Sequence, residues 1–255
     1  KALAEGAFAI DNSSAFRMDP DIALIIPEVN GELLPKSDKP SLIANPNCST
    51  IQLVLVLAPL MRDFGLSQVK VATYQSVSGA GKLALDELVH QTQCKINGQD
   101  LPPAQTFSHP IAFNCLPQIG GFNEEGYTSE EMKIIKESQK ILGRPDLKMS
   151  AFAVRVPTFN GHSEAAWVTL GREVSREQVL NSISSSETLV LFDDPRELKY
   201  PTLIEASGND PVYVGRLHRD LSDPLTWLMW IVADNLRVGA ALNGIRIAER
   251  IFELD

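Results

Sequence analysis

One cysteine occupies a position where its sulfur could act as a nucleophile. Cys48 follows a polar Asn-Pro-Asn turn in "SLIANPNCST", residues 41–50, and precedes the apolar run "IQLVLVLAPL". Ser49 and Thr50 suit the beginning of a helix. A thiol in the first turn would feel the positive end of the helix dipole, which lowers its pKa, and unpaired N–H groups there could hold an oxyanion. Free cysteine is more often a buried structural residue, yet this setting favours a nucleophile.

The other two cysteines, Cys94 and Cys115, lack such a setting, and we expect them to be structural. Three widely spaced cysteines, an odd number, do not form a disulfide framework or a zinc site. The pattern indicates a reducing, cytoplasmic environment and no bound metal.

An arginine interrupts an apolar strand pattern in "AFAVRVPTFNGHS", residues 151–163. A guanidinium in the middle of a strand is unfavourable unless it meets an anion. Arg155 is therefore expected to form either an internal salt bridge or a bidentate contact with a substrate carboxylate. His162 follows in a glycine turn, where it is either a bystander or a general base beside the arginine.

Three further charged residues have no more than an ordinary role when each is considered alone. Glu130 and Lys133 lie three residues apart at the beginning of a predicted helix, and hence on one face, which is typical of surface ion pairs. Arg17, in the loop segment "NSSAFR", could bind a phosphate group, but its type and position alone do not indicate this.

A glycine-rich turn lies in "SVSGAGKLA", residues 76–84, and matches the pattern G-x-G-x-x-A through Gly79, Gly81 and Ala84. The pattern is similar to the dinucleotide fingerprint, but no parallel strand clearly closes a βαβ unit behind it. We expect a tight turn whose backbone can approach a ligand, and not the main cofactor site.

Short apolar runs bounded by turn residues predict buried strands early in the chain. A helix from Cys48 to about Leu57 follows, with Pro59 ending or kinking it. The predicted ranges in this half are 7–10, 22–26, 41–45 and 68–77 for strands, and 48–57 and 79–93 for helices.

The second half of the chain predicts a mixture of longer strands and helices. Thr128 and Glu131 form a capping box in front of "SEEMKIIKESQKILG". Apolar residues recur at helical spacing between Leu225 and Leu236, so residues 223–254 predict one long amphipathic helix. The other predicted elements are strands at 148–159, 163–171, 188–192 and 212–218 and a helix at 175–186.

The composition of the 255-residue chain is that of a globular protein, with 44% apolar and 22% charged residues. Its net charge of −9 argues against a nucleic-acid or anionic-membrane surface, because both need clustered Lys and Arg. No uninterrupted apolar stretch approaches the roughly 20 residues needed to span a bilayer. The order of elements predicts an α/β protein of two lobes, one with a parallel sheet and one α+β with a mostly antiparallel or mixed sheet.

Five segments together resemble the bacterial aspartate-β-semialdehyde dehydrogenase family. They are "IDNSSAFRMDPDIALIIPEVN", "NPNCSTIQLVLVLAPL", "TYQSVSGAGK", "RVPTFNGHSEA" and "DNLRVGAALNGIRIAE". The resemblance implies NADPH-dependent reductive dephosphorylation of L-aspartyl-4-phosphate to the semialdehyde, with release of phosphate. It places the enzyme on the route to lysine, diaminopimelate, threonine, methionine and isoleucine.

The resemblance also implies roles for individual residues. Cys48 would carry the acyl thioester, His162 would be the acid/base, and Gln75 would orient the substrate. Arg155 would hold the substrate α-carboxylate and Glu130 its amino group. Phosphate would be bound by Arg17, Lys133 and Asn47. NADP would be bound by Ser78, Gly79 and Asn235, the last of these on the final helix.

The same resemblance implies a domain organisation. Residues 1–47 would be the C-terminal part of a Rossmann-type NADP-binding domain, residues 48–222 a catalytic and dimerisation domain with a mixed sheet, and residues 223–255 a long helix packing back on the cofactor domain. The family's first strand, Gly-rich loop and helix, about 80 residues of a domain, are absent from this sequence. We therefore expect weak NADP binding and slow turnover from this polypeptide alone, and a homodimer or homotetramer.

Three other interpretations stay open. N-acetyl-γ-glutamyl-phosphate reductase shares the architecture and the cysteine chemistry, although "NPNCST" together with "QSVSGAGK" favours the aspartyl enzyme. A non-catalytic structural paralogue would have no reason to keep Cys48 and His162 with their neighbours. A Cys/His hydrolase would need that pair, but it would leave Arg17, Glu130 and Lys133 without a role.

Overall fold

The computed structural model describes residues 2–253 of the chain, so Lys1, Leu254 and Asp255, which belong to the predicted terminal domains, lie outside the described residues. The chain forms two sheets, one of three parallel strands and one of six strands in mixed orientation. This confirms the predicted α/β fold class, in which a small parallel sheet precedes an α+β part with a mixed sheet. The division into domains at residues 47 and 222 stays a prediction.

Except for β9, the strands occur where apolar runs predict them, with shorter bounds in the small sheet. The small sheet has the order β1-β3-β2 and the large sheet the order β5-β4-β6-β9-β8-β7. Their bounds are β1 Ala9–Asp11, β2 Ala23–Leu24, β3 Leu42–Ala44, β4 Leu66–Gln75, β5 Lys148–Arg155, β6 His162–Leu170, β7 Leu189–Leu191, β8 Val212–Arg219 and β9 Thr226–Ala233.

Helices cover one face of the large sheet and the small sheet. None of those within residues 2–253 combines the length and the apolar character that crossing a bilayer requires. The α-helices are α1 Pro27–Asn30, α2 Cys48–Phe64, α3 Lys82–Ile96, α4 Ser129–Ile141, α5 Arg176–Ser184, α6 Leu203–Ala206 and α7 Leu242–Phe252.

Helix α2 is longer than the sequence predicts. It continues through Pro59 to Phe64, so the prediction of an end near Leu57 is wrong. A proline removes one helix hydrogen bond, but almost every residue from Ser49 to Leu60 is buried, and tertiary packing supplies most of the stability of a protein helix. The helix ends instead at Gly65, whose φ of 76° suits a glycine and whose N–H donates to the carbonyl of Met61.

The prediction of one long helix from residue 223 is wrong in its first part. Residues Thr226–Ala233 form strand β9, which lies between β6 and β8 in the middle of the large sheet. Strand β9 carries apolar side chains on both faces, including the half-buried Leu228 and Trp230 of its outer face, so its pattern also contains helical spacings. A turn and a π-helical segment, Arg237–Ala241, then lead into α7.

The C-terminal helix packs on the small parallel sheet. Ile247 and Ile251 of α7 share a buried cluster with Ile25 and Ile43, which lie in or beside the strands. The chain thus returns to its first lobe after completing the large sheet. This return places the π-helical segment beside the beginning of α2.

Strand β6 shows how the large sheet is arranged around α2. Alternate residues from His162 to Leu170 are buried, while Ala165, Trp167 and Thr169 between them are only half-buried. Helix α2 packs against β4, β6 and β9, so the buried set faces this helix. The half-buried side chains of Ala165, Trp167 and Thr169 point to the opposite, outer face of the sheet.

The capping box at the beginning of α4 is confirmed. The Thr128 hydroxyl accepts from the N–H of Glu131 at 3.3 Å, and the Glu131 carboxylate accepts from the N–H of Thr128 at 2.6 Å. The same carboxylate accepts from the N–H of Ala153 in β5 at 2.9 Å. The box therefore ties α4 to the strand that ends at Arg155.

We expect Thr128→Ala to lower the free energy of unfolding by about 1 to 2 kcal/mol, because it removes a buried N-cap. Thr128→Ser is the matched control, since it keeps the hydroxyl. Urea unfolding of both variants measures the difference. An equal loss in the two variants would assign the effect to the methyl group and contradict the capping role.

Candidate active site

Three predicted site residues lie in one row across the large sheet. Gln75 is the last residue of β4, and it pairs with Arg155 of β5 on one side and with His162 of β6 on the other. Directly paired residues point to the same face of a sheet. The three side chains therefore project together toward the beginning of α2, at the carboxyl ends of β4 and β5.

Cys48 is the first residue of α2, as predicted. The N-cap is Asn47, whose side-chain oxygen accepts from the N–H groups of Ser49 at 3.0 Å and Thr50 at 3.4 Å. Two first-turn donors are thus already used by the cap. The expectation that these donors are open for an oxyanion therefore does not hold for Ser49 and Thr50.

The surroundings of Cys48 make ionisation of its thiol harder, contrary to the sequence-based expectation. Burial raises the pKa of the Cys48 thiol to about 12, and the negative charge of Glu130 acts in the same direction. The N–H of Ser49 and the guanidinium of Arg155 favour the thiolate, but they are outweighed. The contribution of the helix start, the hydrogen bond from the Ser49 N–H, is small beside burial.

His162 is the first residue of β6 rather than part of the preceding turn, which corrects its predicted location. Its Nδ1 lies 3.2 Å from the backbone nitrogen of Ser76 and 3.1 Å from the carbonyl oxygen of Gly161. Within the described part of the chain, its buried Nε2 has no hydrogen-bond partner. One ring nitrogen is thus fixed and the other is left for a reacting group.

The His162 imidazole is neutral at physiological pH. Burial lowers its pKa to about 4, and the positive charge of Arg155 acts in the same direction. The hydrogen bond with Gly161 and the carboxylates of Glu130 and Asp234 oppose this shift without reversing it. A neutral imidazole can accept a proton, which a general base requires.

Arg155 has one fixed contact and no carboxylate partner in the ion pairs of residues 2–253. Its Nη1 donates to the carbonyl oxygen of Ser76 at 2.7 Å, and the residue is 6% exposed. Burial lowers the pKa of the guanidinium, while Glu130 and Cys48 act to raise it. Of the two open interpretations, the structure does not show the internal salt bridge, so the cation is left for a ligand.

Glu130 is the anion of the site. Its carboxylate accepts from Asn47 Nδ2 at 2.9 Å, from Gln75 Nε2 at 3.2 Å and from Lys133 Nζ at 3.4 Å. Burial acts to raise its pKa, but the charge of Lys133 and the two amide donors outweigh burial and hold the pKa below its usual value. Glu130 is therefore charged and buried, not a member of a simple surface ion pair.

Arg17 is paired with a buried carboxylate. Its Nη1 contacts Glu137 Oε1 at 3.1 Å, and Glu137 Oε2 accepts from the backbone N–H of Asn47 at 2.7 Å. Glu137 is 1% exposed and links the loop of Arg17 to the cap of Cys48. Sequence analysis missed Glu137, although its spacing from Glu130 places both on one face of α4.

The two cations predicted to bind phosphate share one open cavity of about 500 Å³. Arg17 and Lys133 both line it, together with a third cation, Lys136, and the hydroxyl-bearing Ser129. Nearby, Lys140 donates to three backbone carbonyls of the loop that carries Arg17. The positive charge of this cavity suits an anion.

The predicted cofactor contacts form a network beside His162. Asn235 accepts from the hydroxyls of Ser76 and Ser78 and from the N–H of Gly161. It lies in the turn after β9 and not on the final helix, which corrects its predicted location. A Cβ at Gly79 would lie 3.2 Å from Arg155 Nη1 and 3.4 Å from His162 Nε2, so the glycine keeps this space open.

A second glycine, which sequence analysis missed, lies against the cysteine. A Cβ at Gly239, in the π-helical segment, would lie 2.7 Å from Cys48 Cβ and 3.1 Å from its Cα. The signal in the sequence is only a glycine in "RVGAALNG", which does not reveal its neighbour. Gly239 allows the returning chain to approach the first turn of α2 closely.

Together these groups can perform acyl transfer to sulfur. A thiol lies at a helix start, and an imidazole with a free nitrogen projects from the facing row of the sheet. One guanidinium acts electrostatically on both Cys48 and His162, as does the Glu130 carboxylate. The combination of a nucleophile, a base, a cation and an anion is what a zwitterionic acyl substrate requires.

Comparison with known proteins gives a consistent result. The family "Semialdehyde dehydrogenase, dimerisation domain" matches residues 57–238, and "Semialdehyde dehydrogenase, NAD binding domain" matches residues 1–37. The aspartate-semialdehyde dehydrogenase of Aquifex aeolicus is 45% identical over 98% of this chain and 73% of its own length. That of Bacillus subtilis is 42% identical over 100% of this chain and 75% of its own length.

The fold is shared with a solved structure as well. Aspartate semialdehyde dehydrogenase II of Vibrio cholerae, complexed with ASA, superposes with a TM-score of 0.94 at 43% identity. The match covers 99% of this chain and 74% of that chain.

We expect Gly239→Ala to slow the reaction of Cys48 with iodoacetamide, because the added methyl group would displace the cysteine backbone. Gly244→Ala is the matched control, since its Cβ would meet only Ile10 Cγ2 at 3.8 Å. Both sites are helical, so backbone conformation does not separate them. Peptide mapping of alkylated Cys48 measures the rates, and equal rates in the two variants would contradict the close contact.

Proposed function

The chain belongs to the aspartate-semialdehyde dehydrogenase family of oxidoreductases that act on an aldehyde, and from this we propose that it converts L-aspartyl-4-phosphate to L-aspartate-4-semialdehyde and phosphate with NADPH. The observation that carries the proposal is the placement of Cys48 at a helix start, with Arg155, Gln75 and His162 projecting toward it from one row. The product would serve lysine, diaminopimelate, threonine, methionine and isoleucine synthesis.

Cys48 and His162 exchange one proton in this proposal. Because the thiol pKa is raised to about 12 and the imidazole pKa is lowered to about 4, both groups begin neutral. In the tautomer that donates from Nδ1 to Gly161, Nε2 takes the thiol proton as sulfur attacks the acyl carbon. The C–S bond forms, the C–O bond to phosphate breaks, and a thioester remains on Cys48.

His162 then returns that proton. When bound, the nicotinamide supplies the hydride that reduces the thioester carbon. The imidazolium protonates the resulting oxygen to give a hemithioacetal. The imidazole then takes the hydroxyl proton back and passes it to sulfur as the C–S bond breaks, which releases the aldehyde and restores the thiol. A base whose pKa lies well below that of the thiol makes the transfer unfavourable at rest, so the charged pair forms only with substrate bound.

Arg155 and Glu130 bind the two charges of the amino acid. The guanidinium has unused donors for the α-carboxylate, and Glu130 can accept from the amino group. Gln75 donates to Glu130 at 3.2 Å and lies in the row between Arg155 and His162. It therefore holds the anion in place and faces the reacting acyl group.

Arg17, Lys133 and Asn47 form the phosphate site in this proposal. Arg17 contacts Glu137, Lys133 contacts Glu130, and Asn47 donates to both carboxylates. An incoming phosphate must compete with these carboxylates for the same donors. Burial raises the pKa of Glu137 despite its contact with Arg17, so uptake of a proton by Glu137 can ease this competition.

The residues beside His162 fit a nicotinamide cofactor. Gly79 leaves open space next to an unpartnered, buried Nε2, and a side chain there would fill it. Ser78, Gly79 and Asn235 would hold the cofactor in that space. NADP is the cofactor that the resemblance implies, and a cytoplasmic location remains a prediction beside it.

The outer face of the large sheet is the proposed contact between two copies of the chain. It exposes apolar side chains, among them Phe152 at 55% and Tyr74 at 37%, and a groove of about 630 Å³ beside Trp230. The matched dimerisation domain includes these strands. We therefore propose a homodimer through this face, on which a tetramer could be built.

The acyl-transfer half of the reaction tests the chemistry without the cofactor. Mixed with L-aspartyl-4-phosphate alone, the chain should release stoichiometric phosphate and gain an aspartyl thioester on Cys48, seen by intact mass and peptide mapping. Cys48→Ser should abolish both, and His162→Asn should slow them by roughly 10² to 10⁴. Cys115→Ser, which changes an exposed cysteine, is the matched control.

Two outcomes would contradict the proposal. One is phosphate release that persists in Cys48→Ser beyond the rate of spontaneous hydrolysis. The other is faster acylation by N-acetyl-γ-glutamyl phosphate than by aspartyl phosphate, which would assign the chain to that substrate instead.

We expect Phe152→Glu to convert the dimer to monomer, because it would bury an unpaired charge in the contact between copies. Ile96→Glu is the control, since Ile96 is a 72% exposed apolar residue at the end of α3 and not part of a strand of this sheet. Sedimentation velocity measures the assembly. A wild-type chain that is monomeric at micromolar concentration would contradict the proposed contact.

A further inference from the structure

A second pair of polar residues lies beneath Cys48 and His162. Gln52 follows Cys48 by four residues on α2, so both lie on the same face of that helix. Glu164 follows His162 by two residues on β6, so both lie on the same face of that strand. The pair Gln52 and Glu164 thus repeats the pair Cys48 and His162 one layer deeper in the protein.

This deeper pair is fully buried and incompletely hydrogen-bonded. Gln52 and Glu164 are both 0% exposed. Neither carboxyl oxygen of Glu164 has a hydrogen-bond partner in the described part of the chain, and Gln52 Oε1 has none either. The one contact is from Gln52 Nε2 to the backbone carbonyl oxygen of His162, at 3.4 Å.

Within residues 2–253, no ion pair provides a cation for a charge on Glu164. Its partners in the sheet are Thr73 on β4 and Ile231 on β9, which are both uncharged. The titratable groups on the neighbouring turns are Cys48 on α2 and His162 on β6, and both are neutral at pH 7. Among the ion pairs of residues 2–253 none includes Glu164.

Protonation of Glu164 would give hydrogen-bond partners to its own carboxyl oxygens and to Gln52 Oε1. A carboxylate can only accept, and an isolated buried carboxylate is strongly disfavoured. A carboxylic acid can donate to Gln52 Oε1 while accepting from Gln52 Nε2, which satisfies both side chains with a small rotation. In agreement, burial raises the pKa of Glu164 well above its usual value, and the amide of Gln52 opposes this only in part.

We infer that Glu164 works as a neutral carboxylic acid that pairs with Gln52 and so sets the position of His162 relative to Cys48. Gln52 belongs to the helix that carries the thiol, and Glu164 belongs to the strand that carries the imidazole. Their pairing fixes the register of these two elements one turn below the reacting groups. Glu164 is therefore a positioning residue that touches neither substrate nor cofactor.

Apolar residues would fill this place more simply. Replacing buried polar pairs with well-packed apolar ones is often neutral or stabilising, so packing alone does not explain a carboxyl group here. A hydrogen-bonded pair instead specifies one relative position of helix and strand. Misplacement of a catalytic group by about 1 Å can lower a rate about a hundredfold, so such a device has a kinetic consequence. That consequence rests on the proposed function.

The protonation state is tested by stability alone. In the wild type the folded state keeps a proton that the unfolded chain loses above pH 4.5, so folding weakens as pH rises. Glu164→Gln has no such proton. Its folding equilibrium constant should therefore gain on the wild type as the pH rises above 4.5, by at most about tenfold per pH unit. A difference that is independent of pH would overturn the neutral acid.

The positioning role is tested by three variants. Glu164→Gln keeps a neutral hydrogen-bonding pair, whereas Glu164→Met and Gln52→Met keep length but remove the pair. All variants are made in a Cys94→Ala/Cys115→Ser background. Glu164→Gln should keep close to the wild-type rates of Cys48 alkylation and of acylation by aspartyl phosphate. Both Met variants should lose about tenfold or more in the maximal acylation rate, with unchanged half-saturation by substrate.

The outcomes distinguish a neutral positioning residue from a charged one and from a residue without a positioning role. Equal losses in Glu164→Gln and Glu164→Met would mean that a charged Glu164 is needed, and wild-type rates in Glu164→Met would remove the positioning role. If no variant, including the wild type, is acylated by aspartyl phosphate, the proposed function fails. The pH dependence of stability and the alkylation rates then still decide the inference about Glu164.

Discussion

The first turn of α2 has to lie over the row formed by Arg155, Gln75 and His162, and the rest of the site depends on this placement. The row exists because β4 pairs with β5 on one side and β6 on the other, at the point where β4 ends. Asn47 fixes the position of the first turn of α2. Its side chain caps this helix and also donates to Glu130, while its backbone N–H donates to Glu137. One asparagine thus connects the helix that carries the thiol to α4, which carries the charges.

The electrostatics of this arrangement keep the resting site unreactive. Burial and Glu130 raise the pKa of the Cys48 thiol, and burial and Arg155 lower the pKa of the His162 imidazole, so proton transfer between them is unfavourable without substrate. A bound substrate would pair its carboxylate with Arg155 and its amino group with Glu130. These two residues act in opposite directions on the thiol, and again on the imidazole, so neutralising both leaves their combined effect on proton transfer small. Burial, the largest cause of both shifts, is therefore what keeps the thiol and the imidazole neutral at rest.

Local patterns in the sequence were sufficient for local structure. The Asn-Cys-Ser-Thr segment predicted the start of α2, and Thr128 with Glu131 predicted the start of α4, because caps depend on neighbours within one turn. The strand β9 could not be predicted in this way, since it is apolar on both faces and its sequence has no polar/apolar alternation to distinguish it from a helix.

Features that depend on contacts between distant segments of the chain could not be predicted from the sequence either. Glu137 reaches Asn47, 90 residues away, and Gly239 meets Cys48 only because the chain returns from the large sheet. The sign of the thiol pKa shift was mispredicted for the same reason, because it depends on how much protein surrounds the sulfur.

The most direct test of these electrostatics is the ultraviolet thiolate absorbance of the wild type minus that of Cys48→Ser, titrated with pH. The account predicts an apparent thiol pKa well above the usual 9.0 in the free protein, and a Cys48 thiolate present at pH 7 would contradict it.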